Sequence, residues 1–362
     1  MKSTNDTYVF IMAGGVGSRF WPKSRNNYPK QFIDILGVGQ SLLQLTYARF
    51  EKLCSHKNIF IVTNNQYKDL VAEQLPSLPA ENILCEPSRN NTAPCIAYAT
   101  FKLAGLNPNA TMVIAPSDHF ILKEDVFVEK IQQAVNFASK NEVLVTLGIQ
   151  PTRPDTGYGY INYDRTPTED GVFKVTRFME KPPLAKAIEF LESGDYVWNA
   201  GIFVWQTQAA LNAFETYAGD IFKLFQAGLP FYNTGEEQKF INEHYPNSPN
   251  ISIDFAIMEK ANNVFTIPAE FGWSDLGTWA SLYDNAHKEG NNNVINTKLS
   301  KLDDTENSII NVPKDKLVVV NGLKDYIVVD NEDVLLIYPK HKEQDIKKVT
   351  EELKNEGKET FL

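Results

Sequence analysis

The sequence predicts an α/β fold with a mainly parallel sheet, followed by a small all-β unit. Three observations predict it. Continuous apolar runs end in turn residues, segments with helical spacing separate those runs, and the pattern changes to closely spaced short strands after residue 287.

The runs come in order. Tyr8–Met12 ends in Ala13-Gly14-Gly15, Ile59–Thr63 in Asn64-Asn65, Thr111–Ala115 in Pro116-Ser117-Asp118, and Val143–Ile149 is the fourth. An uninterrupted apolar run suits a strand covered on both faces, as parallel strands are. In such sheets ligands lie beyond the carboxyl ends of the strands, where the glycines and the Ser117-Asp118 pair fall. Leu42, Leu45, Thr46, Arg49 and Leu53 recur at helical spacing. Tyr67–Leu75, Pro94–Leu103 and the set Val126, Ile131, Val135 and Ala138 predict further helices. Residues 151–285 mix short β runs (Gly159–Tyr163, Gly201–Trp205, Val264–Ile267) with at least two helices, and read as additions to the same sheet.

The stretch His287–Glu306 is rich in Asn, Lys and Asp and reads as a connector. SIINV, KLVVVNG, DYIVVDN and DVLLIYP then follow roughly ten residues apart, which suits a small β unit or a few coils of a β-solenoid. Lys342–Glu356 is a last helix that stops at Gly357. The expected division is residues 1–288 and 289–362.

A chain of 362 residues can bury a core without disulfides or a structural metal. Its 43% hydrophobic and 22% charged residues are those of a globular protein. With 35 basic and 45 acidic residues the net charge is −10, which argues against a nucleic-acid partner. A small polyanion would need a local cluster of cations instead. Cys54, Cys85 and Cys95 are odd in number and lack a CxxC spacing, so reduced thiols in the cytoplasm are expected. The polar start and the absence of an 18-residue apolar stretch predict neither a signal peptide nor a membrane span.

Ala13-Gly14-Gly15-Val16-Gly17-Ser18-Arg19 follows the first strand. Phe20 replaces the third glycine of a dinucleotide fingerprint, and no Gly-Lys-Ser/Thr closes the loop as in a Walker A motif. Glycines let a backbone approach a phosphate and turn N–H groups toward it. Arg19 adds a bidentate contact. Arg19, Lys23, Arg25 and Lys30 fall within one short stretch that contains no acidic residue, which supplies the local cation cluster. A tight structural turn and a solvated basic face are the alternatives.

Asp118 can share Mg²⁺ with substrate phosphates or cap a loop. Asp275, in GWSDLGTW, can be a second metal carboxylate or the N-cap of a helix over Leu276–Tyr283. Lys181 precedes Pro182, which favours an extended backbone and a fixed cation. Gly157-Tyr158-Gly159-Tyr160 and Asn199-Ala200-Gly201 either line a sugar pocket or make ordinary turns. His119 reads as structural.

Together AGGVGSRFWPKSR, YPKQF, RNNTAPCIAYA, APSDHFI, TGYGYI, FMEKP, WNAGIFVW, SIDFAIMEK and GWSDLGTW closely resemble the mannose-1-phosphate guanylyltransferases, a branch of the sugar-nucleotide pyrophosphorylases. The likeness runs through essentially the whole chain. The GGxGxR loop is shared by many nucleotidyltransferases, whereas NTAP, WNAGIF, SIDxAIMEK and GWSDxGTW are more specific to this branch.

The resemblance implies a Rossmann-like nucleotide-diphospho-sugar transferase domain with a small C-terminal β-helix-like domain. It implies the reaction of GTP with mannose 1-phosphate to GDP-mannose and pyrophosphate, with Mg²⁺, and a homodimer. It implies that Gly14, Gly15, Gly17 and Arg19 hold the nucleotide phosphates, with Ser117 also at the nucleotide, and that Lys30 neutralises pyrophosphate. Asn91 and Thr92 would lie by the guanine, and Asp118 and Asp275 would hold the metal. Glu180 and Asn199 would bind mannose hydroxyls, Lys181 the sugar phosphate, Gly159 would shape the sugar pocket, and Asp254 would support it.

Two departures stand out. The family usually reads Arg-Asn-Thr-Ala-Pro, and here the order is Arg89-Asn90-Asn91-Thr92-Ala93-Pro94, so the arginine's role does not transfer to Arg89. Longer members carry a phosphomannose isomerase domain; this sequence has only His341 after residue 287 and is expected to lack that activity.

The implied chemistry needs no general base, because a phosphate monoester with a second pKa of about 6 is already ionised at neutral pH. The obstacle is charge: two unit charges about 4 Å apart repel by about 4 kcal/mol at an effective dielectric near 20. A related enzyme with another base or hexose is one alternative. A non-catalytic sugar-nucleotide sensor is another, and would be expected to lose one of Arg19, Lys30, Asp118, Lys181 and Asp275. A glycosyltransferase would show a DxD motif where this chain has Ser117-Asp118-His119.

Overall fold

The computed structural model describes residues 6–169, 171–331 and 333–362. It divides into two compact units: Met1–Gly14, Thr46–Ser117 and Ile121–Trp273 form the first, and Gly15–Leu45, Asp118–Phe120 and Ser274–Leu362 the second. Residues 15–45 and 118–120 group with the C-terminal segment in this division.

The first unit is built on a nine-stranded sheet. Its strands are β1 (Thr7–Met12), β2 (Ile59–Asn64), β3 (Ile83–Glu86), β4 (Thr111–Pro116), β5 (Leu144–Ile149), β6 (Tyr160–Tyr163), β7 (Phe173–Met179), β8 (Tyr196–Gln206) and β9 (Val264–Ala269). The order across the sheet is β3-β2-β1-β4-β8-β5-β9-β7-β6. The first four strands are parallel, with Val9 opposite both Ile59 and Val113. β8 runs antiparallel to both β4 and β5, so it separates the third apolar run from the fourth. Its Ile202–Trp205 stretch is wholly buried, as a strand covered on both faces must be. Asn199-Ala200-Gly201 is thus strand and not turn.

The helix Thr92–Leu106 is apolar almost all round, and every residue from Ala93 to Leu103 is buried. It joins Phe10 and Phe60 of the sheet, Trp205, and Phe214 and Phe225 of the helices Thr207–Tyr217 and Gly219–Gln226 in one core. Each large apolar side chain so buried contributes roughly 1.5–3 kcal/mol. Lys102 also lies in this helix. Its ammonium is paired with Glu237 at 2.7 Å, and Tyr98 donates to the same carboxylate at 2.6 Å, so the buried charge is compensated.

In the second unit, β10 (Val294–Ile295), β12 (Ile309–Asn311) and β14 (Tyr326–Asn331) stack in parallel, as do β11 (Ser300–Asp303) and β13 (Val318–Asn321). This is coil upon coil, closed by the antiparallel β15 (Val334–Pro339). Alternation along the strands gives each coil two destinations. Ile310, Val312 and Val328 pack with Leu302, Val318 and Val320. Ile309, Ile327, Val329 and Leu336 pack with Phe20, Trp21, Ile33, Leu276, Trp279 and Ile346. The last helix is Ile346–Asn355, after a 3-10 stretch Lys340–Asp345, and Gly357 follows at φ +73°.

The three cysteines are free and buried. Among the described residues no helix is long and apolar enough to cross a membrane.

Candidate active site

In the second unit the glycine-rich loop runs into a 3-10 turn, Ser18–Phe20. Gly17 has φ +68°, and a Cβ on it would lie 2.6 Å from Cβ of Lys30. Both the backbone conformation and the approach of Lys30 require glycine there. The Lys30 side chain is only 3% exposed. Its ammonium donates to Asp118 at 2.9 Å and to the carbonyl of Asp275 at 2.7 Å, and lies over the Phe20 ring at 5.6 Å.

A cavity of about 280 Å³ is lined by Gly17, Ser18, Arg19, Lys30, Asp118, His119, Asp275 and Gly277. Two loop cations and two carboxylates from distant segments thus meet on one cavity. Burial opposes ionisation of Asp118, but Lys30 and His119 outweigh it and hold its carboxyl below the usual range.

Asp275 is not the N-cap of the following helix. Thr278 is, in a capping box with Ser281, and the helix is Trp279–Asn285. Leu276, at φ +43°, lifts the backbone out of helical geometry, and Asp275 Oδ1 accepts the N–H of Gly277 at 3.0 Å. Arg25 also departs from the phosphate cluster. It pairs with Asp333 at 2.7 Å and donates to the Pro22 carbonyl. Asn331 donates to the same carbonyl, and Trp21 donates to the Phe361 carbonyl at 2.6 Å. The loop's downstream end is thereby fastened to the C-terminal residues.

In the first unit a second polar group forms. Asn199 is held from three sides. Its Oδ1 accepts Thr146 Oγ1 at 2.9 Å, its Nδ2 donates to Asp254 Oδ1 at 2.9 Å, and its N–H donates to the Gly159 carbonyl at 2.8 Å. A Cβ on Gly159 would lie 2.6 Å from Glu180 Oε2 and 3.3 Å from Asn199 Cβ, so glycine makes room for both side chains. Burial, and then the charge of Glu180, push Asp254 up to about 7, with Lys181 opposing. Tyr158 meets Trp198 and Trp273 edge-on at 5.0 and 5.2 Å, giving an aromatic wall beside this group.

Lys181 is not extended. It has φ +47°, its N–H donates to the Tyr158 carbonyl, and its ammonium pairs with Glu180 at 2.7 Å. These contacts override the preference set by Pro182.

Asn91, at φ +71°, caps the Thr92–Leu106 helix by accepting the Thr92 N–H at 2.9 Å, and Thr92 Oγ1 accepts the N–H of Ile253. Asn90 donates to the Ser248 carbonyl at 2.8 Å, and Arg89 donates to Tyr67 Oη at 2.6 Å. Ser117 is buried; its N–H donates to Met12 and its carbonyl accepts Thr46 Oγ1. Gly14 lies against Glu86, where a Cβ would be 3.1 Å from Oε2, and Gly15 has open space around it.

Glu86 is a residue the sequence reading passed over. It is buried at the end of β3 and accepts a hydrogen bond from Tyr245, and burial pushes it up to about 7 against the opposing influence of Tyr245 and Cys95. Its signal was a carboxylate closing a three-residue apolar run, too short to stand out.

The nucleotidyl transferase family model matches residues 8–292, and the MannoseP isomerase/GMP-like β-helix domain model matches residues 302–353. The mannose-1-phosphate guanylyltransferase of Salmonella montevideo is 38% identical over 360 residues, covering 97% of this chain and 75% of that protein. The protein of the same name from Escherichia coli K12 is 37% identical over 366 residues, covering 97% and 74%. A solved structure described as mannose-1-phosphate geranyltransferase from Thermus thermophilus superposes with a TM-score of 0.86 at 28% identity, covering 96% of this chain and 99% of that one. Another, described as mannose-6-phosphate isomerase from Helicobacter pylori, gives 0.60 at 26% identity over 74% of this chain and 99% of that one. With the nucleotidyl transferase model spanning most of its length and relatives of one name matched over 97% of it, the chain belongs to the nucleotidyl transferase family, in its mannose-1-phosphate guanylyltransferase branch.

Proposed function

We propose that this chain transfers the guanylyl group of GTP to mannose 1-phosphate, giving GDP-mannose and pyrophosphate. A phosphate oxygen of the sugar phosphate forms the new bond to the α-phosphorus, and the α–β bridging oxygen leaves with pyrophosphate. The observation that carries this reading is the cavity on which Arg19, Lys30, Asp118 and Asp275 converge beside a glycine that admits no side chain. Arg19 and the backbone of Gly14, Gly15 and Gly17 bind the nucleotide phosphates, and Lys30 offsets the charge that gathers on pyrophosphate. Asn91, Thr92 and Ser117 serve the nucleotide. Glu180 and Asn199 bind sugar hydroxyls, Lys181 its phosphate, and Asp254 fixes the Asn199 amide.

Asp118 and Asp275 would hold the divalent ion. Among the described residues no group of three or more His, Cys, Asp or Glu could cage a metal unaided. Two carboxylates suit an ion completed by phosphate oxygens and water, the coordination Mg²⁺ prefers. When bound, such an ion supplies charge neutralisation between nucleotide and sugar phosphate. The buried, unpaired cysteines support a reducing, cytoplasmic setting, and a homodimer is part of the same reading.

The test is pyrophosphate release over a grid of nucleoside triphosphates and hexose 1-phosphates with Mg²⁺. Release confined to GTP with mannose 1-phosphate is expected. A better signal from another pair would overturn the base or sugar assignment, and GTP or GDP-mannose binding without any release would favour a sensor.

A further inference from the structure

We propose that Glu343, from the β-helical C-terminal segment, is a positioning residue for nucleotide binding and transfer. It holds the start of the Trp279–Asn285 helix and, through it, the Asp275–Gly277 stretch that faces Arg19 across the anion cavity. This rests on the nucleotidyl-transfer reading given above.

Glu343 Oε2 accepts the backbone N–H of Ala280 at 2.5 Å. That donor is one of the first helix N–H groups, which have no partner within the helix. Thr278, which precedes the helix, is the N-cap and accepts the Ser281 N–H, so Glu343 satisfies a helix donor that the capping box leaves over. Burial pushes Glu343 up, and the Ala280 N–H, the Thr278 side chain and the Arg19 charge oppose it.

Three further features make this contact matter for the cavity. Trp279, in the same helical turn, packs on Phe20 at 5.0 Å between ring centres, and Phe20 follows Arg19 directly. Ile346, three residues beyond Glu343, lies fully buried in the cluster that holds Phe20 and Trp279. The first turn of the helix is therefore gripped by the loop on one side and by the C-terminal segment on the other. Leu276 has a positive φ without being glycine, between the cavity residues Asp275 and Gly277. A conformation of that kind persists only where the surroundings over-determine it. The Thr278–Ser281 capping box and the hydrogen bond from Ala280 to Glu343 provide that restraint immediately downstream.

The experiment compares the full chain with Glu343→Ala and Glu343→Gln. It measures kcat, KM for GTP, KM for mannose 1-phosphate and thermal stability, with assays well below the melting temperature. Glu343→Ala is expected to lower kcat/KM for GTP at least tenfold while KM for mannose 1-phosphate changes less than twofold. Glu343→Gln keeps an acceptor oxygen and is expected to recover most of kcat. Wild-type kcat/KM for GTP in folded Glu343→Ala would overturn the proposal. So would a loss that tracks only the fraction of unfolded protein and falls equally on both substrates.

Affinity for pyrophosphate, measured by calorimetry, separates this proposal from the transfer reading. If the wild-type chain binds pyrophosphate but transfers nothing, a tenfold weaker affinity in Glu343→Ala sustains the positioning role, and an unchanged affinity overturns it. If the wild-type chain neither binds pyrophosphate nor transfers, both readings fall.

Discussion

The Lys30 ammonium lies 2.9 Å from Asp118, and the lysine side chain is almost wholly buried while the carboxylate is about one-third exposed at 33%. The pair is thus a buried cation facing a carboxylate that remains accessible from the cavity. Asp118→Asn is expected to lower kcat by about 100-fold. Removing its charge leaves the buried Lys30 ammonium without a counter-charge, so the variant should also lose stability, on the order of 3 kcal/mol. Steady-state kinetics and a thermal melt decide this; a folded Asp118→Asn enzyme with wild-type kcat would remove Asp118 from the proposed metal site.

Gly17 and Gly15 should separate cleanly. Gly17→Ala places a Cβ at φ +68° and 2.6 Å from Lys30, and should cost about 2–3 kcal/mol together with most of the activity. Gly15→Ala meets nothing within 4 Å and should keep the melting temperature while raising KM for GTP. Equal melting temperatures for the two variants would show that the close approach at Gly17 is not a constraint.

Gly159→Ala should act on the sugar side. Its Cβ would lie 2.6 Å from Glu180 Oε2, so Glu180 must move. KM for mannose 1-phosphate should rise about tenfold or more, with KM for GTP nearly unchanged. A rise confined to GTP would contradict the placement of Glu180 at the sugar.

Glu86 predicts a pH dependence of stability. Burial raises its carboxyl from 4.5 to about 7, so the folded state holds this proton more tightly than the unfolded state. The associated stability is fully present below about pH 4.5 and is lost as pH rises through about 7. Glu86→Gln removes the titration. Relative to wild type the variant should gain stability between pH 5 and 8, by on the order of 3 kcal/mol if its other contacts are kept. Chemical denaturation at both pH values measures this, and parallel pH profiles for the two proteins would refute it.

Much of this architecture can be read from the chain. The runs at Tyr8–Met12, Ile59–Thr63 and Thr111–Ala115 are strands because nothing polar interrupts them, and they pair in parallel as expected. What could not be read was the neighbour of each strand. β8 enters between β4 and β5 from distant sequence, and strand order is a tertiary property that local pattern does not encode. At the site, Arg19, Lys30, Asp118 and Asp275 were legible as residue types following strands or within glycine-rich motifs. Their shared cavity depends on Lys30 turning inward to two partners 88 and 245 positions away. Glu343 was hidden for a different reason. It sits among Lys340, Lys342 and Asp345 in a segment whose composition reads as ordinary solvated surface.

The hydrogen bond from Trp21 to the Phe361 carbonyl joins residues 340 positions apart. Phe20, Ile33 and Leu42 likewise find their apolar neighbours in Ile309, Ile327 and Ile346. During synthesis the glycine-rich loop emerges well before the partners that immobilise it. Contacts of such long sequence separation form slowly, because the intervening chain must first be closed. The glycine-rich loop is therefore made long before it can be secured. Pulse-labelled hydrogen exchange during refolding should find the Phe20, Trp21, Lys23 and Ser24 amides protected later than those of β1 and β4.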